Sequence, residues 1–86
     1  MGKYARLTDW LANQRADRLE VSFEEIEDED KIGVKLPPSA KVHREWWGNE
    51  VARGSSHYQC RAWRNAGWKL ESLDLTRETV TFVREA

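Results

Sequence analysis

Cysteine is nearly missing from this 86-residue chain, since Cys60 is the only one. A single cysteine excludes an internal disulfide and a cysteine-based zinc site, and it favours a reducing setting. No apolar run approaches the length that spans a bilayer, and residues 1–6 lack the apolar core of a signal peptide. We therefore expect a cytoplasmic protein without membrane contact, folded as one domain over residues 1–86.

Histidine is scarce as well, and His43 and His57 are the only two. Together with Cys60 they suggest a nucleophile and a base, but no third group that would orient the base is evident. His43 lies on the apolar side of its predicted helix, which is typical of a core histidine with satisfied hydrogen bonds. Neither the histidines nor the acidic run from Glu24 to Asp30 has the spacing of a metal site. We expect no enzymatic activity, no metal and no cofactor.

Charge is almost balanced over the whole chain, at −1, but it is unevenly distributed. Residues 1–36 carry six basic and nine acidic groups, whereas residues 41–69 carry six basic and two acidic groups, a net charge of +4. Such segregation can give a nearly neutral molecule one positively charged face, and that face would attract the phosphates of a nucleic acid. The alternative is a solvated surface on which positive and negative charges are separated by chance and bind nothing.

Tryptophan, by contrast, is abundant, and four of the five lie in the same basic segment. They are Trp46, Trp47, Trp63 and Trp68. Rings beside guanidinium groups can hold a nucleic acid or a partner protein. A domain of this length also depends on a few large side chains for its core, so ordinary packing is the alternative for each ring.

The first half of the chain predicts a helix, a strand and a second helix. Apolar residues recur at helical spacing over residues 3–16, and alternation over residues 19–23 predicts a short strand. Ser22 and Glu25 have the spacing of a capping box, so a second helix should begin directly after Ser22. Its end is left open, with Gly33 as a plausible stop.

The second half predicts two more helices and a hairpin. Pro38 suits the first turn of a third helix over residues 39–47, and a fourth helix runs from residue 55 or 56 to Ala66, with a left-handed glycine after it. Strands follow over residues 68–75 and 79–84, and a slip in the alternation of the first predicts a β-bulge.

Helical wheels separate most rings from most cations. The wheel of the third helix places five residues on one apolar arc, namely Ala40, Val42, His43, Trp46 and Trp47. The fourth helix has a basic stripe on one side, formed by His57, Arg61 and Arg64. Its other side is apolar and includes Tyr58, Cys60 and Trp63. Gln59 lies within that apolar side, where it could bond buried backbone. Because neighbouring helical residues are about 100° apart, we expect one of Trp46 and Trp47 to be only half-buried, beside Arg44 and Asn49.

The predicted order of elements is similar to that of a winged helix-turn-helix, an α+β domain in which the single strand pairs with the hairpin. In such domains the helix before the hairpin enters the major groove and the hairpin tip touches the DNA backbone. Two features depart from the pattern. The loop over residues 48–56 is longer than an ordinary helix-turn-helix turn, and the acidic second helix would have to face away from phosphate.

Four segments also carry a resemblance to a known family, namely residues 22–27 (SFEEIE), 36–40 (LPPSA), 44–49 (REWWGN) and 59–68 (QCRAWRNAGW). Through them the chain resembles, from Tyr4 to Val83, a group of small uncharacterised bacterial domains. Relatives of this kind occur alone or joined to nuclease-like or other DNA-associated regions. The resemblance therefore implies DNA recognition, and we expect a role in transcription regulation. The chain departs from it by extra acidic residues at 28–30.

These observations predict a protein that binds duplex DNA in a sequence- or structure-dependent way, through the basic face of residues 57–66 and the wing. The expected phosphate contacts are Lys41, Arg53, Lys69 and Arg77, and the expected base-edge contacts are His57, Arg61, Arg64 and either Arg44 or Asn49, with Ser56 on the same face. In a variant of this interpretation, Trp46 or Trp47 forms with Tyr58 an aromatic pocket for a flipped or modified base.

Two other classes stay open. A protein-interaction module, such as a regulatory or antitoxin-like partner, would use residues 41–68 as its hot spot. A purely structural domain would do neither. A homodimer would suit DNA binding because one small module buries little surface, but nothing in the chain fixes the oligomeric state.

Overall fold

The computed structural model describes residues 3–48 and 59–85. Over these residues the chain forms four α-helices, one 3₁₀ helix and three strands. They are α1 (Ala5–Ala12), β1 (Arg18–Ser22), α2 (Phe23–Glu27), α3 (Pro38–Val42), the 3₁₀ helix (Arg44–Trp47), α4 (Arg61–Arg64), β2 (Trp68–Asp74) and β3 (Thr79–Arg84). The fold is a small α+β domain, and this order of elements confirms the predicted one.

The three strands form one antiparallel sheet in the order β1-β3-β2. The central strand β3 pairs with β2 through the hairpin and with β1 on its other side, so the single early strand joins the hairpin as predicted. The register between β2 and β3 shifts between Leu70 and Ser72, which confirms the predicted bulge. Val21 and Phe82 point to the buried side of the sheet, where the helices pack.

The capping box at the start of α2 is confirmed. The Ser22 hydroxyl accepts a hydrogen bond from the Glu25 amide at 3.0 Å, and the Glu25 carboxylate accepts one from the Ser22 amide at 3.2 Å. The helix, whose end the sequence leaves open, ends at Glu27 and not at Gly33, because the charged residues that follow offer no apolar side to bury. Gly33 does adopt a positive φ of 82°, but it does so in the loop beyond the helix.

The capping box should make part of the stability depend on pH. The backbone hydrogen bond from Ser22 is the largest influence on Glu25 and lowers the pKa of its carboxyl below the ordinary value of 4.5, although burial opposes the shift. A lowered folded-state pKa stabilises the fold above the unfolded pKa, and that stability disappears as the pH falls through the folded-state pKa.

We expect Glu25→Ala to lower the free energy of unfolding by about 0.5–1 kcal/mol at pH 7 and by less at pH 3. Urea denaturation at the two pH values measures both quantities. Glu24→Ala is the matched control, because Glu24 lies in the same first turn and its exposed side chain makes no hydrogen bond within the part of the chain that the structure describes. An equal and pH-independent loss in both variants would contradict the assignment.

The core is built around a column of aromatic rings. Phe23, Trp47, Trp63 and Phe82 follow one another with centroid separations of 5.3, 5.8 and 5.6 Å. Trp46 packs edge-on against Trp47 at 4.7 Å. The separation of most rings from most cations on the helical wheels is therefore confirmed, since the four tryptophans of the basic segment are buried. The prediction that Trp46 or Trp47 is half-buried is wrong, since they are 6% and 0% exposed.

That error comes from a break in the predicted third helix. The backbone turns to an extended conformation at His43, with φ −112° and ψ 115°, and a 3₁₀ helix continues from Arg44. A single helical wheel over residues 39–47 does not apply across the break. Val42 and His43, both expected on the apolar arc, are exposed instead, whereas both tryptophans turn inward.

The fourth helix is shorter in the described residues than predicted. It covers Arg61–Arg64, and Gly67 then adopts a φ of 84°, as expected of a left-handed helix end. The predicted loop over residues 48–56 and the predicted first turn of this helix lie outside the described residues, apart from Gly48. No helix over residues 3–48 and 59–85 has the length and apolar character needed to cross a membrane.

Candidate nucleic-acid interface

Six of the predicted DNA-contacting residues lie in the described part of the chain, and all six are exposed. They are Lys41, Arg44, Arg61, Arg64, Lys69 and Arg77. The other members of the predicted site, Asn49, Arg53, Ser56 and His57, lie outside the described residues, as does Tyr58 of the predicted aromatic pocket. The structure therefore gives the positions of the predicted basic residues in α3, the 3₁₀ helix, α4 and the hairpin.

The short helix α4 separates its rings from its cations as predicted. Trp63 is fully buried, whereas Arg61 and Arg64 are exposed and three residues apart, on the same side of the helix. The segment before the helix anchors it, because the buried Gln59 amide donates a hydrogen bond to the Trp46 carbonyl at 2.9 Å. This bond confirms the predicted role of Gln59, and burial of Cys60 is confirmed as well.

Lys41 is held by an ion pair that ties α3 to α2. Its Nζ lies 3.0 Å from Oε1 of Glu27, and Oε2 of the same carboxylate accepts a hydrogen bond from the Leu36 amide at 3.1 Å. Burial is the largest influence on Glu27 and raises the pKa of its carboxyl. The hydrogen bonds from Lys41 and Leu36 and the charges of Lys41 and Lys35 together outweigh burial, so the pKa is lowered. Lys41 thus balances a partly buried carboxylate.

The surroundings of Lys41 are acidic. A surface depression of about 400 Å³ is lined by Lys41 and Phe23 together with four carboxylates. The carboxylates belong to Glu24, Glu27, Asp28 and Glu78. An excess of negative charge around the ammonium group repels phosphate, so this surface is unsuited to a nucleic-acid backbone.

Arg77 lies at the hairpin turn, next to the same depression. Its amide donates to the Asp74 carboxylate at 3.0 Å, and the carbonyl of the following residue, Glu78, accepts a hydrogen bond from the Phe23 amide at 2.8 Å. The hairpin turn therefore abuts the start of α2. It lies roughly 20 Å from α4, because β2 spans seven residues between them at about 3.3 Å each.

Lys69 occupies the outer face of the sheet, away from the core. In the register of the sheet Val83 lies opposite both Lys69 and Arg18, so the two cations flank it on one face. Arg18 is paired with the Glu71 carboxylate at 2.7 Å. Nothing in the sequence around Arg18 indicates this position, since only strand register brings it near Lys69.

Two members of the predicted aromatic pocket, Trp46 and Trp47, lie in the core, and the third, Tyr58, lies outside the described residues. Trp46 and Trp47 are packed among other rings of the core, and the indole N–H of Trp47 donates to the Ala40 carbonyl at 2.7 Å. Neither ring leaves an exposed face on which a flipped base could stack. The aromatic side chains of this segment therefore serve the scaffold.

The described residues offer no cluster for metal binding. Across 3–48 and 59–85, no group of three or more histidine, cysteine, aspartate or glutamate side chains could hold a metal ion. His43, expected in the core, is exposed, and its Nδ1 lies 3.4 Å from a carboxylate oxygen of Glu45. The chain turns outward at His43, which is why this histidine faces solvent.

Comparison of the chain with curated proteins and with solved structures gave no match. Comparison with protein families did give one. Residues 4–86 match a domain of unknown function, DUF7662. This range nearly coincides with Tyr4–Val83, over which the four sequence segments indicate a family of small domains. Because the match extends over nearly the whole chain, the protein belongs to the DUF7662 family.

Proposed function

We propose that this domain binds duplex DNA and that α4 is its principal contact. The observation that supports the proposal best is that α4 has a buried side and a basic side: Trp63 is fully buried, whereas Arg61 and Arg64 are exposed. The buried ring of Trp63 fixes the helix, so its exposed arginines can approach phosphates and the edge of guanine at a small cost in conformational entropy.

The arrangement of strands and helices supports a winged helix-turn-helix architecture for this role. α4 directly precedes the hairpin, and the single early strand pairs with the hairpin in the order β1-β3-β2. In winged domains the helix in this position enters the major groove. The DNA-associated relatives that the resemblance implies agree with this assignment.

The structure changes which cations we assign to DNA. Arg61, Arg64 and Lys69 remain candidates. Lys41 and Arg77 lie beside the acidic depression, and Lys41 is also held there by its ion pair with Glu27. The same depression would repel the duplex at its end of the sheet. Repulsion at one end and attraction at the other would direct the α4 end toward DNA.

The protein-interaction alternative gains no support from the described surface. Its predicted hot spot depended on tryptophan rings, and the four in this segment are at most 6% exposed. A hot spot needs large side chains that a partner can reach. The buried rings therefore favour the DNA proposal over a protein-binding hot spot.

We expect affinity for random duplex DNA to fall steeply between low and moderate salt, because phosphate contacts release counterions. Replacing both arginines (Arg61→Ala with Arg64→Ala) should weaken binding about tenfold at low salt and flatten the dependence of log K on log salt. The magnitude of the slope should fall by up to about two, since each lost phosphate contact accounts for about 0.9. Electrophoretic shift at several salt concentrations, on duplex and single-stranded DNA, measures both quantities.

The control is Arg6→Ala with Lys31→Ala, which removes the same charge elsewhere. The Arg6 side chain lies beside Gly33, and Lys31 pairs with Glu25 at 3.6 Å, so both belong to the acidic end of the molecule. The control should keep the wild-type slope. No shift of duplex by the wild-type protein at low salt would overturn the proposal, and equal slopes for the two double variants would remove α4 as the contact.

A further inference from the structure

Arg64 is paired with a carboxylate from the end of the described chain. Its Nε lies 2.7 Å from Oε1 of Glu85, and the two side chains are 41% and 36% exposed. The Glu85 amide also donates a hydrogen bond to the Gly67 carbonyl at 2.8 Å. Glu85 is therefore fixed to the turn that ends α4, with its carboxylate against one edge of the guanidinium group.

We propose that Glu85 competes with DNA phosphate for Arg64 and thereby sets the affinity of the α4 face. This inference rests on the proposed function, since it concerns the same surface. A carboxylate and a phosphate both seek the planar N–H donors of arginine, and both are negative. DNA must either displace Glu85 or approach a guanidinium group that is already partly neutralised.

The Arg64–Glu85 ion pair is strong enough to weaken DNA binding but too weak to prevent it. An ion pair this exposed contributes little, up to about a fivefold factor in an equilibrium constant. Phosphate can therefore displace the carboxylate, at a small penalty in affinity. Salt screens both interactions, so the competition should be clearest at low ionic strength.

The test is Glu85→Gln, with duplex DNA titrated at low salt. We expect the Kd to fall about two- to fivefold, because the amide no longer neutralises Arg64 or repels phosphate. Glu27→Gln is the matched control: it changes net charge by the same amount and breaks an ion pair of 3.0 Å, but its partner is Lys41 at the acidic depression, away from α4. It should change the Kd less than twofold.

A cycle of variants identifies the arginine responsible. In an Arg64→Ala background, Glu85→Gln should no longer tighten binding. A gain that persists in this background, or an equal gain from Glu27→Gln, would overturn the competition and leave DNA binding intact. If neither the wild-type protein nor any variant binds duplex DNA, the proposed function fails and this inference fails with it. Thermal unfolding of each variant separates an effect on binding from one on folding.

Discussion

Trp47→Ala should lower the free energy of unfolding by about 3–5 kcal/mol. The ring is fully buried and lies between Phe23 and Trp63, with centroid separations of 5.3 and 5.8 Å. Its removal leaves a cavity in the middle of the aromatic column and an unpaired Ala40 carbonyl, which now accepts the indole N–H at 2.7 Å. A domain of this length has a total stability on the order of 5–10 kcal/mol, so the variant should be close to unfolding at 37 °C.

Urea or thermal denaturation followed by far-UV circular dichroism measures this loss without depending on tryptophan fluorescence. Trp47→Phe should lose about half as much, because it keeps a ring in the column but not the hydrogen bond. Trp10→Ala is the control, since Trp10 is only partly buried at the edge of the core. It should cost about 1 kcal/mol. Similar losses for Trp47→Ala and Trp10→Ala would contradict the central role of the column.

Features that depend on neighbours in sequence could be predicted from the sequence. The capping box needs only Ser22 and Glu25 three residues apart, and the hairpin needs only two alternating segments with a short turn. The bulge in β2 was visible as a slip in that alternation. In each case the interacting groups lie close together along the chain, so their pattern survives in the sequence.

Features that depend on a change of backbone direction could not be predicted in the same way. A helical wheel assumes one continuous helix, and the chain leaves helical geometry at His43. The break exposes Val42 and His43 and lets Trp46 and Trp47 both turn inward. No residue between Pro38 and Trp47 is a strong helix breaker after the first turn, so the sequence carried no signal for the break.

The candidate site was only partly predictable for a related reason. A net charge summed over a segment ignores where the fold places each group. Lys41 pairs with Glu27 from the acidic half, and Arg64 pairs with Glu85 from the end of the chain. The positive segment is therefore divided between an acidic depression at one end of the sheet and the arginines of α4 at the other. Strand register and long-range pairing, which decide this division, are tertiary properties.

Arg84 illustrates a long-range contact that the sequence analysis missed. It lies at the end of β3, and its guanidinium group stacks over the Trp68 ring at 4.6 Å from the centroid. The same group donates hydrogen bonds to the carbonyls of Gln14 and Ala16 and lies 3.4 Å from the Asp17 carboxylate. Arg84 therefore fastens the segment after α1 to the last strand and covers a buried ring.

We expect Arg84→Ala to lower the free energy of unfolding by about 2 kcal/mol. Charged hydrogen bonds to backbone contribute about 1.5–3 kcal/mol and a cation–π contact about 0.5–1 kcal/mol, and the sum is reduced because the side chain is 33% exposed. Arg84→Lys should recover less than half of the loss, since one ammonium group cannot donate to both carbonyls and keep the contact with the ring. Chemical denaturation of the three proteins gives these differences.

The matched control for Arg84 is Arg77→Ala, which removes the same charge from an exposed position in the hairpin turn. Its side chain makes no hydrogen bond or ion pair within residues 3–48 and 59–85, so the loss should stay within about 0.5 kcal/mol. Hydrogen exchange adds a local measurement. In Arg84→Ala the amides at the end of α1 and at the start of β2 should exchange faster, whereas those of the capping box at Ser22 should not. Equal stability losses for the two arginines, or faster exchange spread evenly over the sheet, would show that Arg84 acts only through net charge and does not join α1 to the sheet.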